Sequence, residues 1–198
     1  MECFDELSLR RQLQALPSWK WVAFMLLCCE RMLPNFERFS MDAGIGNGSA
    51  LRAGLVSAWR WLETGQLPLD LNDLRNACED QAPNTEDFHS NFTSSALDAA
   101  NATAILLDAL ERPSASMAVE VAGLCRDTID LYVQAVRHLD PNGPTFEVDI
   151  LADPLMQTEL RRQRDDLGTL IALGEDRPLA VKKMRERADQ YAAGSLSN

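Results

Sequence analysis

Apolar positions recur every three or four residues along nearly the whole chain, and no run of alternating β-branched residues interrupts that rhythm. Leu9, Leu13 and Leu16 form a first short stripe, which Pro17 breaks. Ser18 is placed to cap a helix from Trp19 to Leu33. Pro34 suits the first turn of a separate helical stretch, PNFERFSMDA, which Gly44 can close. A helix over 48–64 carries Leu51, Leu55, Ala58, Trp59 and Leu62 on one face and stops at Gly65. Asp70 can cap a short helix to Gln81, and APNTEDF reads as a loop.

An alanine-rich helix is predicted over 91–111, its small residues allowing close approach of neighbours near the middle of a bundle. Ser114 can cap the longest helix, 115–139, whose continuous stripe runs from Met117 through Val121, Cys125, Thr128, Tyr132 and Val136 to Leu139. DPNGP breaks the chain, and Asp153-Pro154 is a favourable cap and first residue for a helix to Leu173. The last helix begins near Pro178. Val181, Met184, Ala188 and Tyr191 give it a narrow seam suited to one partner helix, in its own bundle or in a second subunit. The expected architecture is therefore a single all-α domain, residues 1–198, a helical bundle of about eight helices.

The stretch WVAFMLLCCE is apolar on every helical face, which marks an enclosed helix. Cys28 and Cys29 are accordingly core residues, and neighbours on a helix point roughly 100° apart, so they cannot pair with each other. Glu30 and Arg31 diverge for the same reason. Two arrangements follow from the sequence. Either both ions lie where the helix emerges into water, or each meets a counter-charge from another helix in a semi-buried polar pocket. Asp98, in ALDAA, is an acid in apolar company and the natural partner for Arg31. Asp127 and Asp130 share a polar stripe with Glu120, Gln134 and His138 that reads as solvated.

Composition narrows the function. The chain of 198 residues carries a net charge of −11, and residues 63–150, with four basic and sixteen acidic side chains, hold the whole excess. Such a segment repels nucleic acid and anionic membrane surfaces, and suits solubility or a basic protein partner. Five cysteines without a C-x-x-C and two scattered histidines point to no metal site and no cofactor. The reading is of reduced, buried thiols. SLRRQL resembles a twin-arginine signal and FMLLCC a lipoprotein box, but Gln12, Gln14 and Pro17 interrupt the first and Leu27 spoils the second. Nine apolar residues in a row, Trp21–Cys29, fall short of the about 20 that span a bilayer. The expected location is the cytoplasm. GIGNG (Gly44, Gly46, Asn47, Gly48) precedes a helix and is a weak anion-binding candidate, since helix stop and helix start explain the glycines alone. No phosphate loop, HExxH or GxSxG occurs.

SWKWVAFMLLCCERMLPNFERF, GIGNG, PNTEDF, ALDAA and the tail from DPLMQTEL together resemble the YjaG-like family of uncharacterised bacterial proteins, over essentially the whole chain. The resemblance implies an all-helical cytoplasmic domain with no established activity. It marks Glu30, Arg31, Pro34, Asn35, Gly44, Gly46, Asp87, Phe88 and Asp98 as matching the family pattern. Asn47 replaces an acid usual there, and Ala100 a common cysteine, which weakens carboxylate-dependent, redox or metal roles at those positions. Two functions remain: a helical interaction or regulatory module, acting through a protein partner or as a homodimer, or a small enzyme or ligand-binding protein with a pocket around Glu30, Arg31 and Asp98, extended by Asn35.

Overall fold

The computed structural model describes residues 2–193, and every regular element among them is helical: α1 (Glu6–Gln14), α2 (Ser18–Ala43), α3 (Gly48–Thr64), α4 (Leu71–Glu79), α5 (Thr93–Glu111), α6 (Ala115–Arg137), α7 (Phe146–Ala152), α8 (Pro154–Ala172) and α9 (Arg177–Ala193). The apolar periodicity thus produces an all-α bundle of nine helices among the described residues.

The all-round hydrophobicity of α2 has its expected consequence. Residues Val22–Cys29 are all buried, and α3, α5, α6, α8 and α9 each pack against α2. Burial of this kind stabilises by roughly 1.5–3 kcal/mol for each large aliphatic or aromatic side chain. The alanines of α5 lie against α2 as their size allows, with Ala96, Ala99, Ala102 and Ala109 buried. Gly54 of α3 permits an equally close approach. A Cβ there would stand 3.1 Å from Thr103 and 3.3 Å from both Cys78 and Leu107.

Three local expectations need correction. Pro34 does not begin a new helix: α2 runs through it to Ala43. Pro34 offers no N–H to the Glu30 carbonyl and is costly inside a helix, but the buried face continues on both sides through Met32, Leu33, Phe36 and Phe39. Tertiary burial outweighs the local break. Ser18 does not cap α2, because Pro17 occupies the N-cap and no side chain bonds there; the tight turn from α1 is tied by the Trp21 indole, which donates to the Leu13 carbonyl at 2.6 Å. Asp70 holds the N-cap position of α4 without a side-chain bond.

One helix, α7, lies between the DPNGP break and Asp153, where no element is predicted from the sequence. It covers a small apolar cluster of Val133, Ile150, Met156 and Leu160 between α6 and α8. The caps Ser114, accepting from Met117 N–H, and Asp153, accepting from Leu155 N–H, stand where the sequence puts them. The α9 seam of Val181, Met184, Ala188 and Tyr191 is buried within its own bundle, where α9 packs on α2 and α3.

Two cations fasten the helix ends on either side of the α8–α9 turn. Arg177 donates from Nε to the Leu62 carbonyl at 2.7 Å and from Nη2 to the Trp61 carbonyl at 2.8 Å, satisfying the open end of α3. Lys20, only 2% exposed, donates from Nζ to the Leu170 carbonyl near the end of α8 at 2.5 Å.

Candidate functional site

Arg31 points from the middle of α2 into the interface with α8. Its Nε and Nη2 donate to the two oxygens of Glu159, both at 2.9 Å, and its Nη1 donates to Asp166 Oδ2 at 2.7 Å. Nη2 also reaches Cys28 Sγ at 3.4 Å. The fork geometry of a guanidinium is what allows one cation to serve two carboxylates at once. Burial alone would lower the Arg31 pKa; Glu159, with Asp166, more than offsets it, and the guanidinium is held charged well above its usual range.

Each carboxylate is then completed by other donors. Glu159 Oε1 also accepts from Gln163 Nε2 at 2.9 Å and from the Cys125 thiol at 3.1 Å. Asp166 Oδ1 accepts from Arg187 Nε at 2.7 Å and from the Tyr191 hydroxyl. Burial, then Asp166, pushes the Tyr191 hydroxyl well above its ordinary pKa, so it stays protonated and donates. The result is a buried network with two guanidiniums and two carboxylates, closed by the phenol of α9. Unpaired, any one of these ions would cost several kcal/mol.

Beside the network lies a cleft of about 120 Å³ where α2, α6, α8 and α9 meet. Arg31, Met32 and Asn35 reach it from α2, Cys125, Thr128 and Ile129 from α6, Thr158 and Arg162 from α8, and Tyr191 from α9. Asn35, one turn beyond Arg31, is 4% exposed and lines the cleft. Its side-chain amide donates to, and accepts from, no described residue. Arg162 lies over the Tyr191 ring at 5.1 Å and pairs with no carboxylate among the described residues.

The proposed cluster of Glu30, Arg31 and Asp98 is not assembled. Glu30 faces the other side of α2, where its Oε1 accepts from Trp59 Nε1 of α3 at 2.7 Å. Asp98, on α5, accepts from the Thr128 hydroxyl at 3.0 Å and has no bond to Arg31. Burial is the main force raising the Asp98 pKa to about 6, with the Thr128 bond opposing and Asp127 adding to it. Thr128 itself lines the cleft, so Asp98 stands one hydrogen bond behind the wall. Of the four residues singled out, Arg31 and Asn35 share the cleft, Asp98 backs it and Glu30 is elsewhere.

The glycine loop is a helix junction. Gly44 ends α2 in the left-handed conformation, and Asn47 caps α3 by accepting from Ser49 N–H at 3.1 Å. Asn47 N–H donates to Gln81 Oε1 at 2.7 Å. The cap is thus occupied by the protein's own side chains. Asp87 accepts from Asn84 within the loop before α5, and Phe88 packs edge-on against Phe39 at 5.4 Å.

Glu159, Gln163 and Asp166 were not anticipated. Their spacing carried a sign of it: Met156, Glu159, Gln163, Asp166 and Leu170 step by 3, 4, 3 and 4, so polar residues occupy inward positions of α8. The charge-rich neighbours Arg161, Arg162, Arg164 and Asp165 mask that seam.

The family described as "Protein of unknown function (DUF416)" matches residues 8–197. The uncharacterised protein YjaG of Escherichia coli K12 is 28% identical over 186 residues, covering 92% of this chain and 91% of that protein. An uncharacterised protein of Haemophilus influenzae is 26% identical over 128 residues, 64% of this chain and 65% of its own length. The crystal structure of a DUF416 family protein from Shewanella baltica superposes with a TM-score of 0.83 at 24% identity, covering 91% of this chain and 93% of that one, which shows the shared fold.

Proposed function

The chain belongs to the DUF416 family of proteins of unknown function, and we propose that it is a receptor for a small ligand held in the cleft between α2, α6, α8 and α9. The observation that carries this reading is Asn35: a residue only 4% exposed that lines the cleft, its side-chain amide bonded to no described residue. An amide free of protein partners in the wall of a cleft can bond a ligand or an ordered water, at about 0.5–1.5 kcal/mol for each hydrogen bond. Every oxygen of the neighbouring carboxylates already accepts at least one hydrogen bond, most of them from cations. That favours recognition over proton transfer, since a working base needs a free lone pair in reach of its substrate.

The reading keeps the regulatory character of the module. A ligand touching four helices stabilises their packing by mass action and so sets the state of the domain. The acid-rich 63–150 segment supports a basic protein partner as the reader of that state. Five free thiols, four of them buried, support a cytoplasmic setting; no helix among the described residues is long and apolar enough to cross a membrane.

The test is a thermal-shift and NMR screen of the wild-type protein against amino acids, carboxylic acids, sugar phosphates, nucleotides and divalent metals, repeated on Ile129→Trp to fill the cleft. A ligand that moves the Asn35 side-chain resonances, and is lost on filling the cleft, is the expected result. A ligand bound equally by both proteins, or a library that leaves Asn35 unmoved throughout, overturns the reading.

A further inference from the structure

Resting on that receptor reading, we propose that the ligand is a small monocarboxylate with a short apolar body, its carboxylate held by Arg162 and the Asn35 amide. The first argument is charge. Arg31 and Arg187 balance Glu159 and Asp166 within a single hydrogen-bonded network. Arg162 is then the one positive charge lining the cleft that pairs with no carboxylate among the described residues. One negative charge neutralises it. A phosphate dianion would leave a surplus beside Glu159 and Asp166, where low dielectric makes like charges expensive.

The second argument is geometry. The Tyr191 ring covers one face of the Arg162 guanidinium, leaving its edge, where the N–H groups lie, to meet a planar acceptor. Thr158 stands one helical turn before Arg162 on α8 and lines the same cleft, and its hydroxyl is bonded to no described residue. With the Asn35 amide, the donors are a fork, an NH₂ and an O–H. They suit the lone pairs of two carboxylate oxygens and fall short of what three phosphate oxygens demand.

The third argument is the rest of the wall. Met32, Ile129 and Leu155 are apolar, and each comes from a different helix. They offer nothing to a hydroxylated or second-charged end and would be covered by a short alkyl chain. A cavity of about 150 Å³ accommodates benzene; this cleft, at about 120 Å³, therefore suits a ligand of about six non-hydrogen atoms, the size of butyrate.

The experiment uses the intact wild-type protein and three probes of similar size: sodium butyrate, its neutral isostere butyramide, and inorganic phosphate, followed by calorimetry and by the Asn35 side-chain resonances. Butyrate is expected to bind at least tenfold more tightly than either of the others. Arg162→Gln, a partly exposed position that leaves the buried network intact, should weaken butyrate at least tenfold and leave butyramide unchanged. Equal binding of butyramide, or tighter binding of phosphate, overturns the carboxylate assignment while the receptor reading stands. If none of the three moves Asn35, the assignment fails, and the broader library decides the receptor reading separately.

Discussion

Arg31 and Asp166 lie 135 residues apart in the chain and meet at 2.7 Å, Nη1 to Oδ2, with the Asp166 side chain wholly removed from solvent. The pair joins α2 to α8, and Tyr191 and Arg187 bring α9 onto the same carboxylate. Four helices therefore share one charge network, counting Cys125 of α6 on Glu159. Its members stand or fall together. Arg31→Ala leaves two buried carboxylates short of their cation and should cost about 3–5 kcal/mol in urea unfolding. Arg31→Lys restores the charge but not the three-way fork, and should recover less than half of the loss. Lysine matching arginine would mean that charge alone, without geometry, holds the interface.

The thiols divide sharply by burial. Cys3 is exposed, and Cys28, Cys29, Cys78 and Cys125 are buried. Burial raises Cys29 well above the usual thiol range and Cys78 to about 11. Cys125 is held protonated by its bond with Cys28, by burial and by Glu159. A thiolate is the reactive species, so these groups should be inert. Ellman's reagent should titrate a single thiol in the native protein, lost in Cys3→Ser, and five after denaturation. A second fast-reacting native thiol would show that the core around α2 opens on the timescale of the assay.

How much of this was legible depends on what each residue's neighbours revealed. The enclosed α2 was plain because apolar residues cover all its faces. Asp98 was plain as an acid among alanines. Its lack of an arginine was not, because Thr128 satisfies it from a stripe that reads as apolar packing. The true partners of Arg31 were hidden for the opposite reason: Glu159 and Asp166 sit in a helix so charged that two inward-facing acids do not stand out. Pro34 shows a third limit, since a local breaker gives no measure of the burial that overrides it.

Asp98 makes stability depend on pH in a definite direction. Folding raises its pKa from 3.8 to about 6, so the native state holds the proton more tightly than the unfolded chain. Its contribution is complete below pH 3.8 and disappears as pH climbs through 6, leaving a charged group that burial disfavours. Asp98→Asn keeps an oxygen for the Thr128 hydroxyl and removes the charge. The variant should be more stable than wild type at pH 7 by about 1 kcal/mol, allowing for solvent screening of a partly exposed group. The difference should shrink towards zero by pH 4. A difference that stays constant across that range would place the effect in packing.

Three glycines should respond differently to alanine because backbone angle and space vary independently. At Gly46, φ is +91° and a Cβ would stand 2.9 Å from Ser40 Oγ and 3.3 Å from the Phe36 ring. Both terms oppose a side chain, and Gly46→Ala should cost about 2–3 kcal/mol. Gly44 has φ of +67° with nothing within 4 Å, so only the left-handed backbone resists, at about 1 kcal/mol. Gly123 lies inside α6 with no positive φ and open space around its Cβ position. There alanine removes freedom from the unfolded chain at no native cost, and Gly123→Ala should stabilise by about 0.5–1 kcal/mol. Urea unfolding of the three variants should rank Gly46→Ala below Gly44→Ala, with Gly123→Ala above wild type. Should Gly46→Ala prove no worse than Gly44→Ala, the close approach of the loop to Phe36 and Ser40 would not exist in solution.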